Sequence, residues 1–483
     1  MARCLFLDDL GIAEMRNLTR RAHQGQRYAG NPVIRAEHPW EQTRLQIYGR
    51  SVIWDPAAGK FRMYYIASAH AEQWKWIRMS GRVLPGHATL PAYAESEDGL
   101  TWTKPMLGQC LFEDEADTNV LDVTRGQSFE SGVLYDPHDP EPRRRYKLFF
   151  WDQEAHLHGP GDLEYENWGH DCVMRVRDAA GEVTYEHSYT DWGIEVAFSA
   201  DGVNWTRHAG DPVIKCYSDT GQSVLFDERL GKYVAFGRFN MKKLAGGGEY
   251  QAHRSVARVT SEDFVHWSDP ELVLTADHHD VEGLQINSMP VDLYEGVYIG
   301  MMETFEPGAT HHASSIQLAT SRDGVRWTRV ADRCSFLDPD PGGWDAKGLR
   351  PGSALIVRDD RLMMYYSSGR EQFEGTGLAT WRRDGFVSLN AGRTAGELLT
   401  TAFVAGGTEL HLNVDTSRGE VRVQVCDAQG LTLEDGAVGV VRGVDSTDVT
   451  VVWKEGDIAS RRGRPVSLRV TLAEADLYSY WCQ

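Results

Sequence analysis

The chain has 483 residues, a net charge of −20, 15 tryptophans and 48 glycines. This length is too great for one small core, so two domains are expected. The acidic balance argues against nucleic acid and against an anionic membrane surface as partners. No stretch of the sequence approaches the roughly 18 apolar residues of a membrane span.

The first residues and the cysteines indicate a cellular compartment. Asp8 and Asp9 stand where a secretory signal would keep its apolar core. The seven cysteines are odd in number, widely scattered and without a CxxC pair. We therefore expect a reduced, cytoplasmic protein.

The segment that begins at Asp8 and Asp9 predicts a short helix. One of these two residues would cap it, and Ile12, Met15 and Leu18 would lie on one face.

A seven-residue pattern, Ser-x-Asp-Gly-x-x-Trp, organises the chain. The Asp-Gly pair (Asp-Phe in one copy) turns the backbone, and the Ser and Asp side chains satisfy turn amides. The Trp then begins the returning strand. The copies lie at residues 96–102, 199–205, 261–267 and 321–327, with a degraded copy at 381–386. Their spacing of about 60 residues, with one longer interval, predicts a blade-built β-propeller.

The rest of the pattern gives the domain organisation. A strand, a turn and a second strand recur five times, which predicts five blades. Beyond about residue 393, short alternating strands predict an antiparallel β-sandwich. We expect an all-β chain with a lead-in segment packed on the propeller (1–44), a five-bladed β-propeller (45–393) and a C-terminal β-sandwich (394–483). The sandwich is expected to support the propeller, with accessory sugar binding as the alternative.

One rim of the propeller is the predicted binding face. The first strand of each blade lines the central channel, and the connection between second and third strands shares a rim with the start of that first strand. Here those connections are long, at about 66–92, 152–190, 238–253 and 303–313. Long connections in compact domains are usually functional. The insertion-bearing rim is therefore where we expect substrate to bind.

Five blades followed by a sandwich resemble the glycoside hydrolases of the fructosidase and arabinanase group. Residues 377–389 and 396–401 resemble the propeller-to-sandwich junction of bacterial invertase-like proteins, as do residues 31–34 and 219–222. The resemblance covers nearly the whole chain. It implies a glycoside hydrolase that cleaves a small oligosaccharide or glycoside by carboxylate acid/base catalysis on the propeller axis.

Members of that group carry three acids at the start of the innermost strands of blades 1, 2 and 3. The resemblance puts Glu130 at the blade 2 position, and Asp219 is the nearby acid in blade 3. Blade 1 departs from the pattern, because Gly49 stands at its position between Tyr48 and Arg50. The catalytic pair must then come from other blades, or activity is lost.

The candidate site residues follow from these positions. Cleavage needs one carboxylic acid to protonate the leaving oxygen, and a second carboxylate to act as nucleophile or to activate water. The catalytic candidates are acids that enter inner strands: Glu130 and Asp219, with Asp345 assisting, and Glu282. The substrate-binding candidates are aromatic, amide and cationic side chains near the same rim: Tyr48, Arg50, Gln222, Arg238, Trp344 and Arg350.

Two other functions stay open. A non-catalytic carbohydrate-binding propeller would explain the missing blade 1 acid. A glycoside phosphorylase would use one acid and inorganic phosphate, with Arg50, Arg238 and Arg254 as the anion site. In every case the expected partner is a carbohydrate, while the oligomeric state is not predicted.

No cofactor is expected to be required. His156 and His158, with His170 and Asp171, could meet in one insertion, but surface histidines are the favoured interpretation over a zinc site. A structural Ca²⁺ in the channel is left open without a motif to support it.

Overall fold

The structure is a computed structural model that describes most of residues 3–483. The residues left undescribed are 43, 69–75, 80–81, 86–88, 113–115, 161–163, 167–171, 178–179, 181–182, 211, 217, 240–253, 306–313, 369–374 and 434–436. The backbone but not the side chains is described at 76–79, 82–85, 116, 127–130, 153–160, 164–166, 172–177 and 183–192.

The regular secondary structure of the described residues is almost entirely β-strand. Their helical turns are short 3₁₀ segments, at Pro39–Glu41, Pro142–Arg144, Ala331–Arg333 and Ala459–Arg461. None of the described segments is a helix long and apolar enough to span a bilayer. The predicted all-β class is confirmed.

Five antiparallel sheets form the blades in chain order, and in four of them the chain runs from the innermost strand outward. Blade 1 is Arg44–Gln46 with Val52–Asp55, then Lys60–Ser68 and Leu90–Ser96; blade 2 is Gly126–Tyr135, Tyr146–Pro160, Val183–Ser199 and Trp205–Arg207. Blade 3 is Ser223–Asp227, Lys232–Gly237, Val256–Ser261 and Glu271–Leu274; blade 4 is Gln285–Ser288 with Val291–Tyr294, Val297–Phe305, Ile316–Ser321, and Thr328–Arg329 with Ser335–Leu337. Blade 5 is Leu349–Pro351 with Ile356–Arg358, Arg361–Ser368, Gly375–Arg382 and Gln26–Arg27.

The insertions add strands beside blades 1 and 2. One small sheet contains Trp76–Met79, Arg82–Pro85, Cys110–Phe112 and Ala116–Asp117, and blade 2 is extended by Glu164–Glu166 and Cys172–Arg177. Both lie in or next to connections between second and third strands. The predicted assignment of the long connections therefore agrees with the strand order.

The repeated Ser-x-Asp-Gly-x-x-Trp segments are turns that follow the third strand of blades 1 to 4. In the first copy, Ser96 Oγ accepts the Gly99 amide at 2.9 Å, and Asp98 Oδ1 accepts the amides of Leu100 and Thr101 at 2.7 Å. The same bonds recur in the other three copies. Their aspartates are therefore structural, as the pattern predicts.

The propeller ring is closed by the start of the chain. Gln26–Arg27 supplies the fourth strand of blade 5 and pairs with Gly375–Arg382. The turn at 383–386, the degraded fifth copy, leads into the sandwich instead. Asp384 in this turn accepts hydrogen bonds from Arg3 Nη1 at 2.9 Å and Ser479 Oγ at 2.6 Å. The junction is thus fixed by residues from both ends of the chain.

The helix predicted after Asp8 and Asp9 is wrong. The structure has the strands Ile12–Arg16 and Thr19–Ala22 there, and they join the two sandwich sheets. Met15 is 38% exposed, so the helical spacing of apolar residues marks no buried face. Pairing with Gly396–Thr400 and Val387–Ala391 decides the conformation of these short segments.

The C-terminal part is a sandwich of two antiparallel sheets. One sheet contains Cys4–Leu5, Thr19–Ala22, Val387–Ala391, Leu410–Asp415, Asp445–Thr450 and Ala475–Cys482. The other contains Ile12–Arg16, Gly396–Thr400, Phe403–Val404, Glu420–Cys426, Val438–Arg442, Trp453–Glu455 and Pro465–Ala473. Alternate side chains of both sheets meet in one apolar core that includes Leu412, Val423 and Leu468.

Inner strands touch across the propeller axis at a level that we call the glycine waist, made by Gly49, Gly221 and Gly352. The Arg50 amide donates to Gln222 O at 2.8 Å, and the Arg50 carbonyl accepts the Val133 amide at 2.8 Å. A Cβ on Gly221 would lie 2.6 Å from Gly49 Cα. Only glycine, which has no side chain, allows the backbones to approach so closely. The glycine waist divides the propeller axis into two ends.

Candidate functional site

Polar side chains gather around Glu303 on the insertion-bearing side of the glycine waist. Glu303 lies near the end of the second strand of blade 4 and is 1% exposed. Its carboxylate accepts the Tyr48 hydroxyl at 2.7 Å, Asn287 Nδ2 at 3.0 Å and Ser288 Oγ at 3.2 Å. Arg350 Nε lies 3.5 Å from Glu303 Oε1. Blades 1, 4 and 5 are thereby joined through one carboxylate.

Blade 3 supplies the next layer of the same cluster. Asp219 precedes the inner strand and Arg238 follows the second strand, so both lie on this rim. They form an ion pair at 2.5 Å, in which the Arg238 side chain is 3% exposed and that of Asp219 is 25% exposed. Arg254 precedes the third strand and donates to Asn287 Oδ1 at 2.8 Å. We call Tyr48, Asp219, Arg238, Arg254, Asn287, Glu303 and Arg350 the axial cluster.

The axial cluster contains four of the residues predicted for catalysis or substrate binding, together with Arg254, which the phosphorylase alternative assigned to an anion site. Asp219, Tyr48, Arg238 and Arg350 come together from blades 1, 3 and 5, and the Arg350 guanidinium lies 5.4 Å from the centre of the Tyr48 ring. Asp219 is the carboxylate of the cluster that is most open to solvent. Of the two described carboxylates in the cluster, it is therefore the one that a ligand can reach.

Arg50 lies on the other side of the glycine waist. Its guanidinium pairs with Asp292 at 3.0 Å and donates to Val133 O at 2.8 Å. It lines a separate cavity of about 340 Å³ together with Trp54, Tyr135 and other residues near the turns between first and second strands. The structure therefore does not bring Arg50 to the predicted rim, although Tyr48 is only two residues away.

Gln222 and Asp345 are buried and hold backbone segments in place. Gln222 Nε2 donates to Ser218 O at 3.1 Å and to Thr220 O at 2.6 Å, which shapes the segment that carries Asp219. Asp345 is 0% exposed and accepts Arg27 Nε at 2.8 Å and the Tyr366 hydroxyl at 2.8 Å. Asp345 thus lies beside the closing strand of blade 5 and not in the axial cluster.

Three further candidates lie apart from the cluster or outside the described side chains. The Trp344 ring stacks on Tyr366, with centroids 5.7 Å apart, and packs in blade 5. Glu282 is exposed on the segment that leads into blade 4. Glu130 lies at a bulge in the inner strand of blade 2, between Phe129 and Ser131, and its side chain is outside the described residues. Its catalytic role stays a prediction.

Sequence reasoning missed Glu303 and Asn287. The available signal was a Glu inside an otherwise apolar strand, Val297–Phe305, whose residues up to Thr304 are all buried. A buried carboxylate in such a strand needs donors around it, so it marks a polar site. Asn287 carries no comparable signal, since a lone Asn next to a strand end is common in turns.

A second group of buried ionisable residues lies on the face of blade 2 that packs against blade 1. Asp152 accepts Thr124 Oγ1 at 2.7 Å and the Arg125 amide at 2.6 Å, so it fixes the segment entering blade 2. Glu195 accepts Arg207 Nε at 2.9 Å and pairs with Arg125. Burial, and next the Glu195 carboxylate, raise the pKa of Asp152 to about 7.

This pKa predicts a specific pH dependence of stability. The folded state holds the Asp152 proton more tightly than the unfolded chain, whose pKa is near 3.8. The resulting stabilisation is fully present below about pH 3.8, is lost progressively as the pH rises, and is gone above about pH 7. Asp152→Asn, which stays neutral, should therefore gain stability relative to wild type between pH 5 and pH 7, by up to about 1.4 kcal/mol per pH unit, and the difference should level off above pH 7.

Urea unfolding at four pH values from 5 to 8 measures the difference. Asp359→Asn, at an exposed turn position, is the matched control and should follow wild type at every pH. Parallel curves for wild type and Asp152→Asn would contradict the raised pKa. Among the described residues, the charged groups that act on Asp152 are Glu195 and Arg125, and Arg207 pairs with Glu195.

Across the part of the chain that the structure describes, no three His, Cys, Asp or Glu side chains form a group that could hold a metal ion. The side chains of His156, His158, His170 and Asp171 fall outside the described residues.

No family model matches the sequence, and no curated protein matches it either. Solved structures do match, with low identity. A glycosyl hydrolase from Bacteroides ovatus has 12% identity and a TM-score of 0.45, over 75% of this chain and 94% of its own. A β-1,2-mannobiose phosphorylase from Listeria innocua has 10% identity and a TM-score of 0.46, over 75% and 98%.

A third match covers more of the chain. A fructofuranosidase from Schwanniomyces occidentalis has 11% identity and a TM-score of 0.40, over 92% of this chain and 98% of its own. These proteins are of the kind that the sequence resemblance named. At such identities and TM-scores the likeness carries no argument about activity, which has to come from this chain's own residues.

Proposed function

We propose that this chain is an enzyme that cleaves a glycosidic bond, with hydrolysis as the first candidate reaction. The observation that supports it is the axial cluster. Asp219 is partly open there, beside hydroxyl, amide and guanidinium groups of Tyr48, Asn287, Arg254 and Arg350. A sugar offers many hydroxyl groups, and a set of hydrogen-bond donors and acceptors such as this one is suited to orient them.

Hydrolysis needs two carboxyl groups with different roles. In our proposal Asp219 is one of them, and Glu130, on the adjacent inner strand of blade 2, is the other. One protonates the oxygen of the leaving group, and the other acts on the anomeric carbon or activates the attacking water. Glu303 is too buried to meet the substrate and acts as a positioning residue, since it holds Tyr48 and Arg350 at the rim.

A non-catalytic sugar-binding propeller is the second candidate. Gly49 favours it, because the resemblance leads one to expect an acid at this blade 1 position. The glycine waist gives Gly49 a different reason to be there, since a Cβ at this position would lie 2.6 Å from Gln222 N. A side chain at position 49 is thus excluded by packing, whatever the activity.

The test is the release of product from a panel of furanosides, pyranosides and uronides, with wild type and Asp219→Asn. We expect turnover by wild type and a loss of about 10²–10⁴-fold in the variant, the size of acid/base catalysis. Asp269→Asn, an exposed position on the outside of blade 3, is the matched control and should keep wild-type turnover. Ligand binding without turnover in wild type would favour the sugar-binding propeller.

A further inference from the structure

A largely buried ion pair joins blade 1 to blade 4 on the far side of the glycine waist. Arg50 Nη2 lies 3.0 Å from Asp292 Oδ1, and Arg50 Nε donates to the same oxygen at 3.1 Å. The Arg50 side chain is 14% exposed and that of Asp292 is 11% exposed. Asp292 Oδ2 also accepts the amide of Leu355 in blade 5. Blades 1 and 4 are not neighbours in the ring, so this pair crosses the axis.

The position of Asp292 is apolar in the first three blades. In their inner strands a valine is followed by Ile53, Leu134 or Leu225, whereas Val291 of blade 4 is followed by Asp292. Burial raises the pKa of Asp292, although the charge of the guanidinium partner acts in the opposite direction. An ion pair costs more desolvation free energy here than an apolar pair would. The pair therefore points to a requirement for geometry rather than for stability.

A second contact between the same two blades lies on the insertion-bearing side of the glycine waist. The Tyr48 hydroxyl of blade 1 donates to Glu303 of blade 4 at 2.7 Å and accepts a hydrogen bond from Asn287 Nδ2. Tyr48 and Arg50 flank Gly49 in the sequence. The two contacts with blade 4 thus stand one residue to either side of the waist.

The backbone of Arg50 is bonded to other blades than its side chain is. Its amide donates to Gln222 O of blade 3 at 2.8 Å, and its carbonyl accepts the Val133 amide of blade 2 at 2.8 Å. The side chain supplies the connection to Asp292 of blade 4. Because one residue separates Arg50 from Tyr48, a shift of Arg50 relative to blade 4 would also displace the Tyr48 hydroxyl.

We propose that Arg50 and Asp292 are positioning residues for the reaction at the insertion-bearing rim, because their ion pair holds Tyr48 in place against Glu303. The inference rests on the proposed function, in which Tyr48 is one of the groups that orient the sugar. The ion pair acts through Tyr48 and touches no substrate, since the glycine waist lies between the pair and the rim.

The experiment replaces the ion pair by apolar side chains of the kind found in the other blades, as Arg50→Met with Asp292→Leu in the full chain. Urea unfolding should stay close to wild type, since apolar pairs often replace buried ion pairs without loss of stability. 3-Fluorotyrosine at position 48 reports the surroundings of that hydroxyl by fluorine NMR. We expect its resonance to move toward that of Glu303→Gln, and kcat/KM to fall by about 10- to 100-fold, the effect of a small misplacement.

The matched control is Arg143→Met with Glu141→Leu, which removes an exposed ion pair and should change neither the resonance nor kcat/KM. An unshifted resonance in the protein without the Arg50 pair overturns the inference, and so does a shifted resonance with wild-type turnover. If wild type turns over no glycoside, the proposed reaction fails, while a shifted resonance still supports the placement of Tyr48 by the ion pair.

Arg50→Lys keeps the inference testable if the apolar pair does not fold. Lysine retains the positive charge beside Asp292 but loses the planar group that bonds Asp292 and Val133 O together. We expect a smaller shift of the Tyr48 resonance in the same direction, with a smaller loss of kcat/KM. A wild-type resonance and wild-type turnover in Arg50→Lys would contradict the inference.

Discussion

Replacing Gly49 by alanine is expected to cost more than about 4 kcal/mol of unfolding free energy, or to prevent folding. The φ angle of Gly49 is +74°, which an L side chain rarely adopts. A Cβ would lie 2.6 Å from the Gln222 nitrogen and 2.8 Å from the Gly221 carbonyl carbon. These atoms are backbone, held by the hydrogen bond from the Arg50 amide to Gln222 O, so no side-chain rotation relieves the clash.

The variant Gly59→Ala is the control for Gly49→Ala, because it introduces the backbone strain of a positive φ without the steric clash. Gly59 also has a positive φ, +66°, but an added Cβ would meet nothing within 4 Å. It should lose about 1–2 kcal/mol, the cost of the left-handed conformation alone. Urea unfolding of both variants measures the two terms. Equal losses in Gly49→Ala and Gly59→Ala would show that the blades do not meet at the axis as described.

Glu303→Gln is expected to destabilise the fold by about 3 kcal/mol, because it removes one charge from a buried and fully hydrogen-bonded group. Glutamine keeps the shape of the side chain and one acceptor oxygen. Its new amide group, however, donates toward groups that themselves donate, namely the Tyr48 hydroxyl and Asn287 Nδ2. Arg350 also loses the neighbouring negative charge.

The matched control for this change is Glu262→Gln. Glu262 is 79% exposed and pairs with Lys232 at 3.1 Å, a surface contact that should contribute less than about 1 kcal/mol. Chemical unfolding at neutral pH compares the two variants. A Glu303→Gln protein as stable as Glu262→Gln would mean that Glu303 does not hold the axial cluster together.

The architecture was accessible from the sequence because it rests on local, repeated chemistry. Each Ser-x-Asp-Gly-x-x-Trp copy closes its own turn with bonds between neighbours, so the pattern predicts the turn wherever it occurs. The N-terminal strands were not accessible in this way. Ile12–Arg16 is extended because Gly396–Thr400, far along the chain, offers it an edge. The spacing of apolar residues within the segment gives no information about a pairing strand so far along the chain.

The candidate site was predictable in part for the same reason. Asp219, Arg238 and Arg350 stand at ends of recognisable strands, so the propeller topology alone brings them to one rim. Arg50 was assigned to the wrong end because the sequence does not show where the glycine waist divides the axis. Asp345 looked like an acid at a strand entrance, yet Arg27 from the closing strand neutralises it.

The closure of blade 5 also affects how this protein is made. Gln26–Arg27 leaves the ribosome early, but the strand that it pairs with follows some 350 positions later, as in the bond from Asn31 to Leu378 across 347 residues. At about 5–20 residues per second, translation of that interval takes on the order of tens of seconds. During that time four blades can form while the first segment still has no partner, so newly made chains should depend on chaperones until blade 5 is complete.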